Sequence, residues 1–376
     1  MSSHYGTTQY RRNVALPNEV LYEIFHDLPT SLLAATACVS HRFNAVAERV
    51  LYSSITLRDH LSHSSPYPWR TKLCCESIIQ REHLVESIRG FHIRWQADAQ
   101  PSQSSSQFDF APTVLQLVNV LRILTSLESL ELWLGPANHR VDASAPTHII
   151  ERIIRGAHFP QLISCSLGAE WTKGSPLYSS VLDRFLGSLH SLRHLKLHDN
   201  NVALNIPVNS LPLLYSFRGS PATSASLLPG RPIQYLSLFG DDYDVDQVIL
   251  TRFANTLLPL RVLDLSSMPV RPILLRNLAN HLPAIEVLKI RLALRHTLHY
   301  ALTGIRLLTG LSAVLATFHS LFHLDLSPTS VAGAEVEQER SLCFEWHRAC
   351  PSLKRITFPS HTEWILESDT MWLPQA

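Results

Sequence analysis

Leu192 to Val202 reads LRHLKLHDNNV. Leu195 and Leu197 alternate with His194, Lys196 and His198, the period of a strand with one buried face. The Leu-x-x-Leu-x-Leu spacing begun at Leu192 returns at Leu127, Leu130 and Leu132, and at Leu162, Cys165 and Leu167. Further copies are Ile233, Leu236 and Leu238; Leu260, Leu263 and Leu265; and Ile285, Leu288 and Ile290. Leu321, Leu324 and Leu326 come next, and Leu353, Ile356 and Phe358 close the series. Ile88, Phe91 and Ile93 fit an earlier unit, and Leu214 with Phe217 a weak one. Helical patterns fall between most of these. Leu115, Val118, Leu121 and Leu124 make one, Ile149, Ile150, Ile153 and Ile154 another. Leu182, Phe185, Leu186 and Leu189 follow, then Val245, Val248, Ile249 and Phe253, then a longer run from Ile305 to Phe318. Short strands alternating with helices imply a parallel sheet, because each helix returns the chain to the same edge.

A single copy of the spacing occurs in any half-buried strand, but seven or so copies with helices between them resemble a leucine-rich-repeat array. That resemblance implies stacked units forming a solenoid, with strands along the concave side and helices outside. Only the unit at Leu192 keeps the consensus asparagine, Asn200. Gly135, Asp241, Met268, Ala293 and Thr329 stand at that position elsewhere, so no regular asparagine ladder is expected. Thr362 to Leu366 and Met371 to Leu373, around a turn at Ser368 and Asp369, read as a closing hairpin. Its tryptophans, Trp364 and Trp372, would cap the last open strand.

Residues alternating with the leucines point away from the core. They are Glu131 and Trp133, then His194, Lys196 and His198, then Tyr235 and Phe239. Asp264 and Ser266, Lys289 and Arg291, and His323 and Asp325 continue the row. Aromatics among charges of both signs suit recognition of a protein by a few anchors in a polar surround. Trp133, Tyr235 and Phe239 are the expected anchors. Lys289 and Arg291 are expected to meet acidic or phosphorylated groups.

The second informative stretch, Leu16 to Leu57, reads LPNEVLYEIFHDLPTSLLAATACVSHRFNAVAERVLYSSITL. Val20, Leu21, Ile24, Phe25 and Leu28 recur at helical spacing behind Pro17, which suits a first helical turn. Pro29 stops that helix, and Thr30 or Ser31 can cap a second through Leu32, Leu33 and Ala35. Val39, Phe43, Val46, Ala47 and Val50 mark a third. Three short helices in about forty residues are near the lower size limit for burying a core. Surplus apolar side chains should face a partner.

Leu16-Pro17-x-Glu19-Val20-Leu21-x-x-Ile24-Phe25-x-x-Leu28, with Val39-Ser40-x-x-Phe43 and Leu51-Tyr52-x-x-Ile55, resembles an F-box. The whole chain is similar to F-box proteins with leucine-rich arrays, especially a divergent fungal type. The resemblance implies that Leu16, Pro17, Val20, Leu21, Ile24, Phe25, Leu28, Val39 and Phe43 make or support a surface for a Skp-type adaptor. Through that adaptor the chain would join a cullin, as the substrate-recognition subunit of a Skp–cullin–F-box ubiquitin ligase. The alternative is an adaptor-binding or free repeat scaffold without a ligase role. The expected α/β organisation is a flexible tail (1–15), the F-box (16–57), and a linker with a possible first repeat and a polar loop (58–111). The substrate-binding array with its capping hairpin fills 112–376. His60 to Trp69 is read as the link into the array, and Gln100 to Gln107 (QPSQSSSQ) as a polar insertion.

Lys plus Arg number 32 against 31 Asp plus Glu, which leaves no polycationic footprint for nucleic acid. No run approaches the roughly twenty apolar residues that span a bilayer, and MSSHYGTTQYRRN lacks the apolar core of a secretory signal. Six cysteines in a chain of this length form no disulfide framework. These features point to a soluble protein of the cytosol or nucleus. No catalytic constellation, cofactor or metal is expected. Gly168 to Ser175 (GAEWTKGS) lacks the Gly-Lys-Ser of a phosphate-binding loop. Asp242-x-Asp244-x-Asp246 lacks the glycine and glutamate of a calcium loop, and suits a helix N-terminus instead. Cys343, Trp346, His347 and Cys350 read as a core stripe.

Overall fold

The computed structural model describes residues 16–62, 64–97, 108, 110–138, 147–171, 175–293, 308, 310–330, 336–368 and 371–375. The expected N-terminal tail and the insertion Gln100 to Gln107 lie outside them. Three helices open the fold: α1 (Asn18–His26), α2 (Thr30–Ala37) and α3 (His41–Ser53). Pro17 occupies the cap position of α1. The side chain of Ser40 caps α3 by accepting the Phe43 amide at 3.1 Å. The expected cap of α2 is corrected: Thr30 is already helical, and the Pro29 carbonyl accepts the Leu32 and Leu33 amides at 2.9 and 3.0 Å.

Among the described residues, thirteen strands form one sheet, paired in strict chain order. They are β1 (Ser54–Leu61), β2 (Gly90–Ala97), β3 (Ser129–Trp133), β4 (Ser164–Gly168), β5 (His194–Leu197) and β6 (Ser216–Gly219). Next come β7 (Tyr235–Phe239), β8 (Val262–Val270), β9 (Val287–Leu292), β10 (His323–Asp325) and β11 (Arg355–Thr357). Pairing is parallel from β1 to β11. The closing hairpin, β12 (Glu363–Ser368) and β13 (Met371–Gln375), adds antiparallel.

In-register pairing stacks Ile55, Phe91, Leu130, Cys165, Leu195 and Phe217 across β1 to β6. The row continues through Leu236, Leu263, Leu288, Leu324 and Ile356 to Trp364 of β12. Every member is buried, and the helices between strands pack on the same side. The opposite side of the sheet is open.

The array begins before the expected boundary. Helix α3 ends at Ser53 and β1 starts at Ser54, with no linker between them. His60 belongs to β1 and Trp69 opens a helix, Trp69–Gln80, so only the residues between Leu61 and Trp69 form a loop. Arg81 fastens the junction: it donates to Glu48 at 2.7 Å and lies over the Tyr52 ring. The apolar stripe of helix Ala111–Ile123 also differs. Val114, Leu117, Val120 and Leu121 face the core while Leu115 is exposed, because apolar residues fill two adjoining faces. Of the expected long helix to Phe318, the described residues hold a single α-helical turn, Ser312–Leu315, and Ile305 lies outside them.

Buried polar side chains, each placed differently, do the work of the missing asparagine ladder. Asp59 accepts from the Arg70 and Thr71 amides, both at 3.0 Å, and from the Thr71 hydroxyl at 2.6 Å. Glu151 holds the Ser179 and Leu182 amides at 2.7 and 3.0 Å. Asn200 donates to Thr223 at 3.1 Å, and the Thr329 hydroxyl accepts the Leu292 amide at 3.0 Å. These groups satisfy helix starts and loop backbone that would otherwise be buried unpaired.

At the far end, Trp364 and Trp372 are buried. Trp364 Nε1 donates to buried Glu339 at 2.9 Å, and Glu339 also accepts from Ser360 at 2.6 Å. Trp364→Ala is expected to cost about 3–5 kcal/mol, since it empties a core site and strips a donor from a buried carboxylate. Equilibrium urea unfolding measures this. An unchanged midpoint would mean that the hairpin is not part of the core.

Candidate functional surfaces

The N-terminal helices possess a core of their own, separate from that of the array. It consists of Leu21, Phe25, Leu33, Val46, Ala47 and Val50. Phe43 meets Phe25 edge-on at 5.4 Å, and Leu28 packs against the same cluster. With that core complete, Leu16, Val20, Ile24, Leu32 and Val39 stay exposed, from 41% for Val20 to 68% for Val39, and Pro17 is exposed beside them. Val20 and Ile24, at i, i+4 spacing, share one face of α1, about 100° round from buried Leu21 and Phe25, and Leu16 lies just ahead of the helix. Arg42 of α3 ties the start of this face down, donating to the Leu16 carbonyl and, at 2.8 Å, to Asn18. The nine sequence-selected residues therefore divide into a buried pair (Leu21, Phe25), two half-buried supports (Leu28, Phe43) and five exposed residues. Leu32 was absent from that selection because α2 is apolar nearly all round.

The open face of the sheet is the second surface. Strand register lines up Glu131, Ser166, Lys196, Arg218, Ser237, Asp264, Lys289 and Asp325 on β3 to β10. Much of this row is already paired. Arg94 donates to Glu131 at 2.7 Å, and Lys289 meets Asp325 at 3.0 Å. Lys289 thus differs from the expectation that it stands ready for an acidic group. Asp264 is buried and accepts from Ser237 at 3.1 Å, Tyr235 at 3.4 Å and the Ser266 amide at 2.9 Å. Its carboxylate organises its neighbours and does not face solvent. His323 pairs with Thr357 at 3.1 Å.

Lys196, His194 and Arg291 are exposed, while Trp133, Tyr235 and Phe239 are half-buried. Trp133 packs edge-on against His198 at 5.3 Å, and His198 Nε2 meets the Ser166 hydroxyl at 3.0 Å. Gly168 makes room for this contact, because a Cβ there would stand 2.7 Å from that of His198. Burial, then the Arg218 and Lys196 cations, hold the His198 imidazole below the ordinary histidine range against the opposing pull of Asp199. Arg218 donates to Ser267 at 2.7 Å and to Ser237 at 3.3 Å. Sequence reading missed Arg218 because its unit, at Leu214 and Phe217, is so degenerate. Its alternation with Phe217 was the available signal.

No cluster of three or more metal-ligating side chains occurs among the described residues. Asp246 caps helix Gln247–Ala254 through the Ile249 amide at 2.8 Å, and Asp242 is salt-bridged to Arg271 at 2.7 Å. Cys343, Trp346 and Cys350 are buried in the core as a stripe, and burial pushes the Cys343 thiol up. His148 lies 2.9 Å from Asp199 and stacks on Tyr178, and the side chains of the pair are at most 3% exposed. No helix of the described residues is long and apolar enough to cross a membrane.

Residues 14–58 match the F-box-like family. No curated protein sequence matches the chain. Among solved structures, the leucine-rich repeat-containing protein LegL7 from Legionella pneumophila aligns at 14% identity and a TM-score of 0.41, covering 82% of this chain and 92% of that one. The Rad7 and Elc1 complex in yeast aligns at 11% identity and a TM-score of 0.36, covering 86% and 94%. The leucine-rich repeat domain of APL1B aligns at 12% identity and a TM-score of 0.24, covering 76% and 67%. The chain carries an F-box-like domain joined to an open, mainly parallel sheet backed by helices.

The field around β5 and β6 can be read directly. The His198 ring protons should titrate at a lower pH than those of a free histidine, and Arg218→Ala should raise the midpoint. An NMR titration showing no rise would mean that burial alone sets it.

Proposed function

We propose that this chain is the substrate-recognition subunit of a Skp–cullin–F-box ubiquitin ligase, a receptor without catalytic residues of its own. One observation carries the proposal. An F-box-like domain that has already completed its core still exposes Leu16, Val20, Ile24, Leu32 and Val39. Covering a side chain of this kind is worth about 1.5–3 kcal/mol if its burial is complete, so a partner with a matching apolar surface gains substantially by docking there. A Skp-type adaptor is that partner, and a cullin joins through it.

The open face of the sheet is the target-binding surface. Trp133, Tyr235 and Phe239 serve as anchors, with Glu131, His194, Lys196, His198, Arg291 and His323 around them. Asp264, Lys289 and Asp325 contribute by holding their neighbours in place. The receptor works by proximity, since holding target and ligase on one chain raises the effective concentration of target lysines at the transferred ubiquitin. The direct run of α3 into β1 supports this role, because no flexible linker dilutes that concentration. The proposal carries with it a location in the cytosol or nucleus.

A pull-down with purified adaptor tests it, comparing the wild-type chain with a Val20→Glu, Ile24→Glu, Val39→Glu variant. These positions are exposed, so the variant should keep its circular dichroism; Phe25 is avoided because its ring is buried. The wild type should bind and the variant should lose at least about tenfold in affinity. No binding by the wild type would remove the receptor reading. Adaptor binding without cullin co-purification would reduce it to a scaffold.

A further inference from the structure

The open face has an excess of positive charge that the neutral total of the chain conceals. Glu131 is taken by Arg94 and Asp325 by Lys289, while Asp264 is buried under three donors. At the far edge Arg355 pairs with Glu363. Arg218 reaches Asp264 only through the Ser237 hydroxyl. Lys196 and Arg291, both exposed, have no carboxylate partner among the described residues. The chain as a whole is at +1, with 32 cationic against 31 anionic side chains.

The placement of these cations specifies what they can hold. Lys196 is on β5 and Arg291 on β9, four strand spacings apart. At about 4.8 Å per spacing, that is roughly 19 Å across the sheet. A single phosphate needs donors converging within hydrogen-bond distance, and these two cannot converge. An extended peptide rises about 3.3 Å per residue, so carboxylates about six residues apart reach both. Midway, on β7, lie the half-buried rings of Tyr235 and Phe239, with Arg218 adding positive potential at the Lys196 end.

We propose that the open face takes an extended acidic segment of the target, lying across the strands, with carboxylates at Lys196–Arg218 and at Arg291 and an apolar or aromatic side chain over Tyr235 and Phe239. This rests on the open face being the target-binding surface. It names the class of segment that surface selects, one with Asp or Glu at positions about six residues apart and an apolar residue between them. Long-range attraction between the segment and the face speeds encounter and weakens as salt screens it.

The probe is a fluorescein-labelled peptide with paired glutamates at each end of a six-residue span and a tryptophan midway, followed by anisotropy against the full chain. Binding should weaken at least about tenfold between about 50 and 300 mM NaCl. Lys196→Glu and Arg291→Glu, both exposed and checked for an unchanged thermal midpoint, should each weaken it at least about fivefold. A peptide with glutamine in place of glutamate should not bind. No binding by the wild type, equal binding of the glutamine peptide, or indifference to both substitutions would overturn the inference. So would tighter binding of a peptide bearing one phosphoserine and no glutamate, or of a single-stranded oligonucleotide. Adaptor binding is measured in parallel on the wild type. Adaptor capture without peptide capture sinks this inference alone, and peptide capture without adaptor capture sinks the receptor reading while keeping the acidic site.

Discussion

In-register parallel pairing from β1 to β11 is the constraint on which everything else in this molecule depends. Because side chains alternate with a period of two, one register places Ile55, Phe91, Leu130 and their successors in a single buried row. The same register places Glu131, Lys196, Arg218 and Asp264 in a single row on the other side. A slip of one residue in a strand would turn its apolar side chains to the open face and its polar ones into the core. The buried row and the candidate recognition row are two consequences of one hydrogen-bond pattern.

That pattern also carries the F-box-like helices. Helix α3 passes into β1 without a break, and Glu48, Tyr52 and Arg81 lock the corner. The apolar face of α1 and the open face of the sheet are thereby held by one continuous framework. The F-box-like helices need the framework little for their own core, which is internally complete. What they lack is cover for the side chains left outside it.

The leucine spacing made the strands from β3 onward legible, because each carries its apolar period within a few residues. The hairpin was legible for the same reason, its two tryptophans marking one face. Less legible was the start of the array, since the first residues of β1, Ser54 to Leu57, lie inside the stretch that also spells the F-box. The helical stripe at Leu115 was misphased because Val114, Leu115, Leu117, Val118, Val120 and Leu121 offer two apolar faces, and only packing against the neighbouring strands selects one. Cross-strand pairs were invisible altogether. Lys289 and Asp325 are far apart in the chain, and nothing local to either announces that they meet. The substitutes for an asparagine ladder share that property: Thr329 could be seen to occupy the position, but not that its hydroxyl would reach back to Leu292.

Hydrogen–deuterium exchange of the full chain, with and without a Skp-type adaptor, tests the central claim most directly: the chain docks through one face and keeps the other free. Adding the adaptor should protect the amides of α1, α2 and the start of α3, around Leu16, Ile24, Leu32 and Val39, and leave β3 to β9 unchanged. Protection centred on the sheet, or none at the N-terminal helices, would contradict it.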